Sequence, residues 1–220
     1  MIAVTLVAFD LDGTLIDSRR DLADSANEML ADWGAPPLAD EAIVRMVGSG
    51  AEQLVARALA AAHVKAPIEN ALARFLAVYD RRLTNHTRPY DGVPDVLKEL
   101  NREQVSMALV TNKPLEQSVK LLKAFDLFEY FRWRVGGDGP WPRKPDPAGL
   151  RSLMSDASAE RAGTMLVGDS GVDLQTARNA GVRMCLTRYG FGFPDIAPDA
   201  LMGDEIIVDA PRDILEAVRR

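Results

Sequence analysis

Near the start of the chain two carboxylates separated by one residue, Asp10 and Asp12, follow the apolar run Val4–Phe9 and lead into Gly13 and Thr14. Side chains at i and i+2 of an extended segment point the same way, so the two acids start out on one side. Like charges placed so closely persist only if a cation lies between them or one carries a proton. Either arrangement is a basis for chemistry. The plainer alternative is a polar turn in which Asp12 and Gly13 reverse the chain.

Three further polar sets follow apolar runs or stand alone in loops. Thr111 and Asn112 come after Val105–Val110 and offer a hydroxyl, an amide and backbone N–H groups where a helix begins, a natural anion site and equally an ordinary helix cap. Asp169, Ser170 and Asp173 come after Thr164–Val167. Asp169 and Asp173 are four apart, on one face of a helix start, where they can cap the helix, hold a metal, or do both. Lys144 stands in a proline-rich loop, either solvated or a point charge for a phosphoryl oxygen.

The needs of phosphoryl transfer account for all four sets: an in-line nucleophile, cations on the non-bridging oxygens and a proton donor for the leaving group. Mg²⁺ takes oxygen ligands and keeps several waters beside one or two carboxylates. Asp10 and Asp169, from different strand ends, could supply those carboxylates. Asp173 would then act through water or brace the ligands from outside.

These residues need a scaffold that brings distant strand ends together. Val4–Phe9, Val105–Val110 and Thr164–Val167 read as buried parallel strands, with Arg183–Thr187 and Ile206–Val208 as shorter ones. Helical patterns cover about 94–101, 114–125, 147–154, 171–180 and 211–219. Alternating strand, polar loop and helix predicts an α/β fold with a Rossmann-like, doubly wound parallel sheet. Such sheets hold ligands beyond their strands' carboxyl ends. Residues 19–34, 40–46, 51–62 and 68–83 are helical in pattern with no strand between them. They predict a small all-helical cap at 18–89, inserted into a core of 1–17 and 90–220, with a return linker at Pro89–Pro94.

Composition sets limits. A net charge of −6, with 47% hydrophobic and 26% charged residues, fits an ordinary globular protein and argues against nucleic acid or an acidic membrane as partner. The single cysteine, Cys185, excludes an internal disulfide and a cysteine zinc site, and its setting is that of a buried strand thiol. His63 and His86 have no sequence neighbours that suggest a metal. No basic leader and no apolar run of ~18 residues is visible, so a cytoplasmic location is expected.

Taken together and in this order, Asp10 to Ser18, Thr111 to Lys113, Lys144 to Pro147 and Gly168 to Asp173 resemble the four motifs of the haloacid dehalogenase superfamily, specifically its phosphatases with a helical cap. Val47–Gly50, Tyr90–Val93, Gly136–Asp138, Ala177–Gly181 and Tyr189–Gly190 are similar to the phosphoglycolate phosphatases within it. The resemblance implies that Asp10 is the nucleophile and forms an aspartyl-phosphate. Asp12 would be the acid and then the base, a residue that a dehalogenase of this superfamily has no use for. Mg²⁺ would be held by Asp10, Asp169 and the main-chain carbonyl of Asp12, supported by Asp173 and Ser170. Thr111, Asn112 and Lys144 would bind the phosphoryl group, with Gly13 and Thr14 shaping the loop.

The expected reaction is hydrolysis of a small phosphorylated metabolite, 2-phosphoglycolate first, by a monomer or homodimer. Alternatives are another substrate (a sugar phosphate, nucleotide or pyrophosphate), a phosphomutase similar to β-phosphoglucomutase, or a non-catalytic binder. The cap would set specificity, with Gly48, Ser49 and Gly50 as its expected contacts. Arg57, His63, Arg74, Tyr79 and Arg88 fit surface or packing positions as well.

Overall fold

The computed structural model describes residues 3–220. Its centre is β1 (Leu6–Phe9), four residues with no exposed surface. The strand pairs in parallel with β4 (Ser106–Val110) on one side and β6 (Thr164–Gly168) on the other. With β5 (Trp133–Val135), β7 (Arg183–Thr187) and β8 (Ile206–Val208) they form a six-stranded sheet, all parallel, in the order β5-β4-β1-β6-β7-β8.

Alternation along the strands sends side chains to two faces. Val7, Phe9, Met107, Leu109, Met165 and Val167 pack on one side, against α5 (Val93–Arg102), α6 (Leu115–Ala124) and α9 (Asp213–Arg219). Leu6, Ala8, Ala108, Val110 and Leu166 pack on the other, against α7 (Ala148–Asp156) and α8 (Gly171–Ala180). The sheet is therefore covered on both faces, the doubly wound arrangement expected. The helices that follow β4 and β6, the two neighbours of β1, leave toward opposite faces. This is the switch in winding that opens a crevice at the carboxyl ends of such sheets. Asp10 is the first residue past β1, at that crevice.

Between β1 and α5 lie α1 (Arg19–Ala31), α2 (Asp40–Val44), α3 (Ala51–Ala61) and α4 (Ile68–Arg82). Their apolar faces (Leu22, Met29, Leu54, Val55, Phe75 and Tyr79 among them) join the core cluster on the Phe9 side of the sheet. The first helix ends at Ala31, short of the expected 34, because the chain leaves it through a turn that Gly34 closes at φ +70°.

Two features were not foreseen. Ile16–Asp17 (β2) and Arg88–Pro89 (β3) pair antiparallel, so the chain enters and leaves the helical segment side by side. Just beyond this pair, the buried Asp21 carboxylate accepts from His86 N at 2.9 Å, Thr87 N at 2.7 Å and the Thr87 hydroxyl at 2.7 Å. The His86 ring also reaches Asp21 and Asp24, the three ligand atoms lying within 4.8 Å of one another, so His86 does have acidic neighbours. β5 is absent from the strands that the sequence predicts. Among the described residues no helix is long and apolar enough to cross a membrane.

Candidate active site

The site is built on the ends of three adjacent strands. Asp10 follows β1, Thr111 and Asn112 follow β4, and Gly168–Asp173 runs from the end of β6 into α8. Lys144 reaches in from the loop before α7. Its ammonium lies 2.8 Å from Asp10 Oδ1 and 2.5 Å from Asp173 Oδ1, in a buried cluster. Ser170 caps α8: its hydroxyl and N–H both donate to Asp173 Oδ2, at 2.6 and 3.1 Å. Both oxygens of Asp173 thus have partners within the protein, and capping and site-building coincide.

Asp169 is held more loosely. Its Oδ2 accepts from Gly192 N at 2.7 Å, and the Thr14 hydroxyl stands 3.5 Å from Oδ1. Two glycines make room for it. A Cβ on Gly13, whose φ is +89°, would fall 2.0 Å from Asp169 Oδ2, and one on Gly190 would fall 2.2 Å from Asp169 Cβ. Only a residue without a side chain fits at either place. Tyr189 pins the same turn by donating from its hydroxyl to the Thr14 carbonyl at 3.0 Å.

Asp10, Asp169 and Asp173 bring carboxylate oxygens within 4.8 Å of one another. Ionised, they carry three negative charges against the one positive charge of Lys144, an excess of two in a buried space. The strain shows in their proton affinities. Burial pushes the Asp10 carboxyl up to about 6, with Lys144 pulling it down and Asp173 and Asp12 pushing it up. Burial, with the charges of Asp173 and Asp10, also drives Asp169 well above the usual carboxylate range. The Lys144 ammonium is opposed by burial, yet Asp10 and Asp173 hold it above an ordinary lysine. A hard divalent cation, which binds oxygen and carries two charges, fits this donor set.

Asp12 faces away from this cluster. Its carboxylate receives the Ser18 hydroxyl at 2.6 Å and the Lys113 ammonium at 2.9 Å to each oxygen. The Lys113 ammonium also meets the Tyr79 hydroxyl at 2.6 Å and lies 4.5 Å from the centre of its ring. Tyr79 belongs to α4, so an acid after β1, a cation after β4 and a phenol of the helical segment form one connected group. Lys113 and Tyr79 are functional candidates that sequence reasoning left unassigned. Lys113 lies within the segment Thr111 to Lys113, where sequence alone gives it no role, and Tyr79 reads from sequence as a packing residue.

The side chain of Asn112 is occupied by backbone. Its Oδ1 accepts from Lys144 N at 2.8 Å, and its Nδ2 donates to the carbonyls of Lys144 and Gly48, each at 2.9 Å. It therefore positions Lys144, while the backbone around it stays at the crevice. The Thr111 hydroxyl accepts from Lys113 N at 3.2 Å. Of the glycine loop, Gly48 and Gly50 border the pocket beneath the helices, whereas the Ser49 hydroxyl accepts from Arg57. Arg74 pairs with Glu28 and Asp32, and Arg88 caps the carbonyls of Thr84, Asn85 and Thr87, which accounts for both without a ligand.

Comparison with known proteins agrees with this geometry. The family model described as haloacid dehalogenase-like hydrolase matches residues 7–187. Phosphoglycolate phosphatase 1 of Pseudomonas aeruginosa is 42% identical over 217 residues, covering 96% of this chain and 78% of its own. The plasmid-borne phosphoglycolate phosphatase of Cupriavidus necator is 38% identical over 216 residues, covering 97% and 91%. A crystal structure of a predicted phosphoglycolate phosphatase from Haemophilus somnus superimposes with a TM-score of 0.92 at 29% identity, covering 99% of both chains. With a family match over most of its length, and with Asp10, Lys144 and Asp169 gathered at one crevice, the chain belongs to the haloacid dehalogenase-like hydrolases.

Proposed function

We propose that the protein is a Mg²⁺-dependent phosphomonoesterase that hydrolyses a small phosphorylated metabolite, 2-phosphoglycolate first, through an aspartyl-phosphate on Asp10. The observation that carries this reading is the division of labour between the two first acids. Asp10 sits with Lys144 beside the cluster suited to a cation, while Asp12, two residues on, is held apart by Ser18 and Lys113. The two acids thus sit in different surroundings, Asp10 charge-compensated for attack and Asp12 in an ion pair that it must leave before it can carry a proton.

In the first step an Asp10 carboxylate oxygen attacks phosphorus in line with the ester oxygen. The P–O ester bond breaks, and the leaving alkoxide takes the proton of the Asp12 carboxyl. In the second step a water attacks the aspartyl-phosphate, Asp12 as carboxylate takes its proton, and phosphate leaves with Asp10 restored. Lys144 compensates charge on Asp10 and the phosphoryl oxygens throughout. The Thr111 hydroxyl, on a residue that borders the pocket with Asp10, would meet the transferred group. Asp10, Asp169 and the Asp12 carbonyl would hold Mg²⁺, braced by Asp173 and Ser170, and the ion would supply positive charge to the phosphoryl oxygens.

We take residues 1–17 and 90–220 as the catalytic unit and 18–89 as its cap, a reading supported by the side-by-side entry and exit at β2 and β3. The pocket between them is bordered by Asp10, Asp12, Val47, Gly48, Phe75 and Tyr79, and its volume is about 50 Å³. At ~10–15 Å³ per water by this measure, that is room for a few waters. Such a space, bordered largely by small and apolar side chains, suits a two- or three-carbon group. The similarity to phosphoglycolate phosphatases points the same way.

Phosphate release from a panel of small esters with Mg²⁺ tests the reading, with Asp10→Asn as control. Release favouring 2-phosphoglycolate, lost in the variant, supports all of it. Broad release keeps the mechanism and removes the named substrate. A sugar phosphate consumed without free phosphate would point instead to a mutase.

A further inference from the structure

The pocket under the helices holds one cation. Its lining includes the acids Asp10 and Asp12 and the apolar Leu22, Val47, Leu54 and Phe75, and among the described residues that border it only Lys113 is positively charged. The Lys113 side chain is 4% exposed and the Asp12 side chain 12%, so their pair is nearly out of solvent. From this we infer that Lys113 is the specificity-determining residue for an anionic, carboxylate-bearing tail on the substrate, and that it exchanges its partner Asp12 for that carboxylate on binding. The inference rests on the proposed phosphatase reaction and deepens it.

The physical case begins with what each tail can do. A carboxylate entering this pocket would meet Asp12 at close range, a like charge in a poorly solvated space. Among the described side chains that border the pocket, the Lys113 ammonium, with help from the Tyr79 hydroxyl 2.6 Å away, is the cation placed to offset it. Separating Asp12 from Lys113 with nothing in exchange leaves two buried charges unpaired, which is strongly unfavourable. A carboxylate removes that penalty on the lysine side. On the aspartate side, the Ser18 hydroxyl at 2.6 Å keeps a hydrogen bond on Asp12 as it is released. Asp12 is then free to face the ester oxygen. A neutral tail offers Lys113 no exchange and leaves Asp12 in its ion pair. Recognition of the tail and readiness of the acid are therefore one event.

The test compares 2-phosphoglycolate with 2-hydroxyethyl phosphate, which has the same chain length and an alcohol in place of the carboxylate. Wild type should favour 2-phosphoglycolate in kcat/KM by about a hundredfold, the scale of one hydrogen bond to a charged group gained or lost. Lys113→Met should cut that preference at least about tenfold. It should do so selectively, kcat/KM falling at least about tenfold further on 2-phosphoglycolate than on the neutral ester. Lys113→Gln is read the same way if the Met variant fails to fold, and Lys113→Arg should keep most of the preference.

Equal loss on both esters would overturn the inference, because Lys113 would then serve Asp12 alone. So would an unchanged preference in the variants, or a wild type that turns over both esters equally. No phosphate from either ester would instead refute the proposed function.

Discussion

The Asn112 amide nitrogen donates to the Gly48 carbonyl at 2.9 Å, joining the loop after β4 to the glycine loop between α2 and α3. The same side chain holds the backbone of Lys144 through two more hydrogen bonds. One residue thus sets both where the buried lysine stands and where the helical segment touches the core. Asn112→Ala would leave Lys144 N–H and two carbonyls without these partners. We expect a loss of about 1–3 kcal/mol in unfolding free energy. A fall in kcat/KM of tenfold or more should accompany it, since small displacements of a positioning group are costly. Denaturant titration and steady-state kinetics on one preparation check both.

Asp21 tests the junction of the helical segment with the rest of the chain in isolation from chemistry. Its carboxylate is fully buried and satisfies two backbone N–H groups and a hydroxyl across the entry and exit of the helical segment. Asp21→Ala strands three donors and should cost about 2–3 kcal/mol. Asp21→Asn keeps the shape but turns an amide NH₂ toward donors, and should recover less than half of that. Urea unfolding of both variants decides the order. Ala equal to wild type would mean water replaces the carboxylate.

How much of this was legible beforehand depends on how local each cause is. β1 and its acids could be read because an apolar run and an i, i+2 spacing are local signals. α8 could be read because Ser170 caps it and Gly181 stops it at φ +75°. β5 could not, since three residues with Arg134 at their centre become a strand only through pairing with β4. The two-residue pair β2–β3 has the same origin. Lys113 and Asp12 are 101 residues apart, and no periodicity announces a pair at that distance. Tyr79 lies on the apolar face of α4, where its ring reads as packing and its hydroxyl has no local partner. The site residues supplied by strand ends were visible, and those that join the helical segment to them were not.

The excess of negative charge around Asp169 should make the fold respond to a divalent ion. We expect Mg²⁺ at a hundredfold excess over its Kd to stabilise the protein by about 2.7 kcal/mol, a rise in Tm of roughly 5–10 °C for a chain of this size. Chelation should reverse the shift and abolish phosphate release. Asp169→Asn should remove the Mg²⁺-dependent shift and, having lost one of three crowded carboxylates, should melt no lower than the metal-free wild type. Thermal melts with and without Mg²⁺ check each point. A shift that survives in Asp169→Asn would place the ion elsewhere.

Cys185 gives a pH dependence free of the active site. It lies in β7 with no exposed surface, and burial pushes its thiol from 9.0 up to about 12, Asp213 adding a smaller push. A group whose folded value is raised contributes stability that is complete below the unfolded value and is lost as pH rises toward the folded one. The window therefore opens near pH 9 and runs toward 12. Between pH 9 and 10 the unfolded chain sheds the thiol proton while the folded chain keeps it, which lowers stability by about 1 kcal/mol. The buried Tyr79 and the half-buried Tyr90 and Tyr189, all raised by burial, add losses of the same sign that begin in this interval and grow above 10. The cysteine's share is therefore read as a difference between wild type and a variant without it. Cys185→Ala should start less stable, because a small cavity replaces the sulfur, but from pH 9 to 10 it should lose about 1 kcal/mol less than wild type. Urea titrations at the two pH values measure the difference, and parallel slopes in the two proteins would show that the thiol ionises without unfolding.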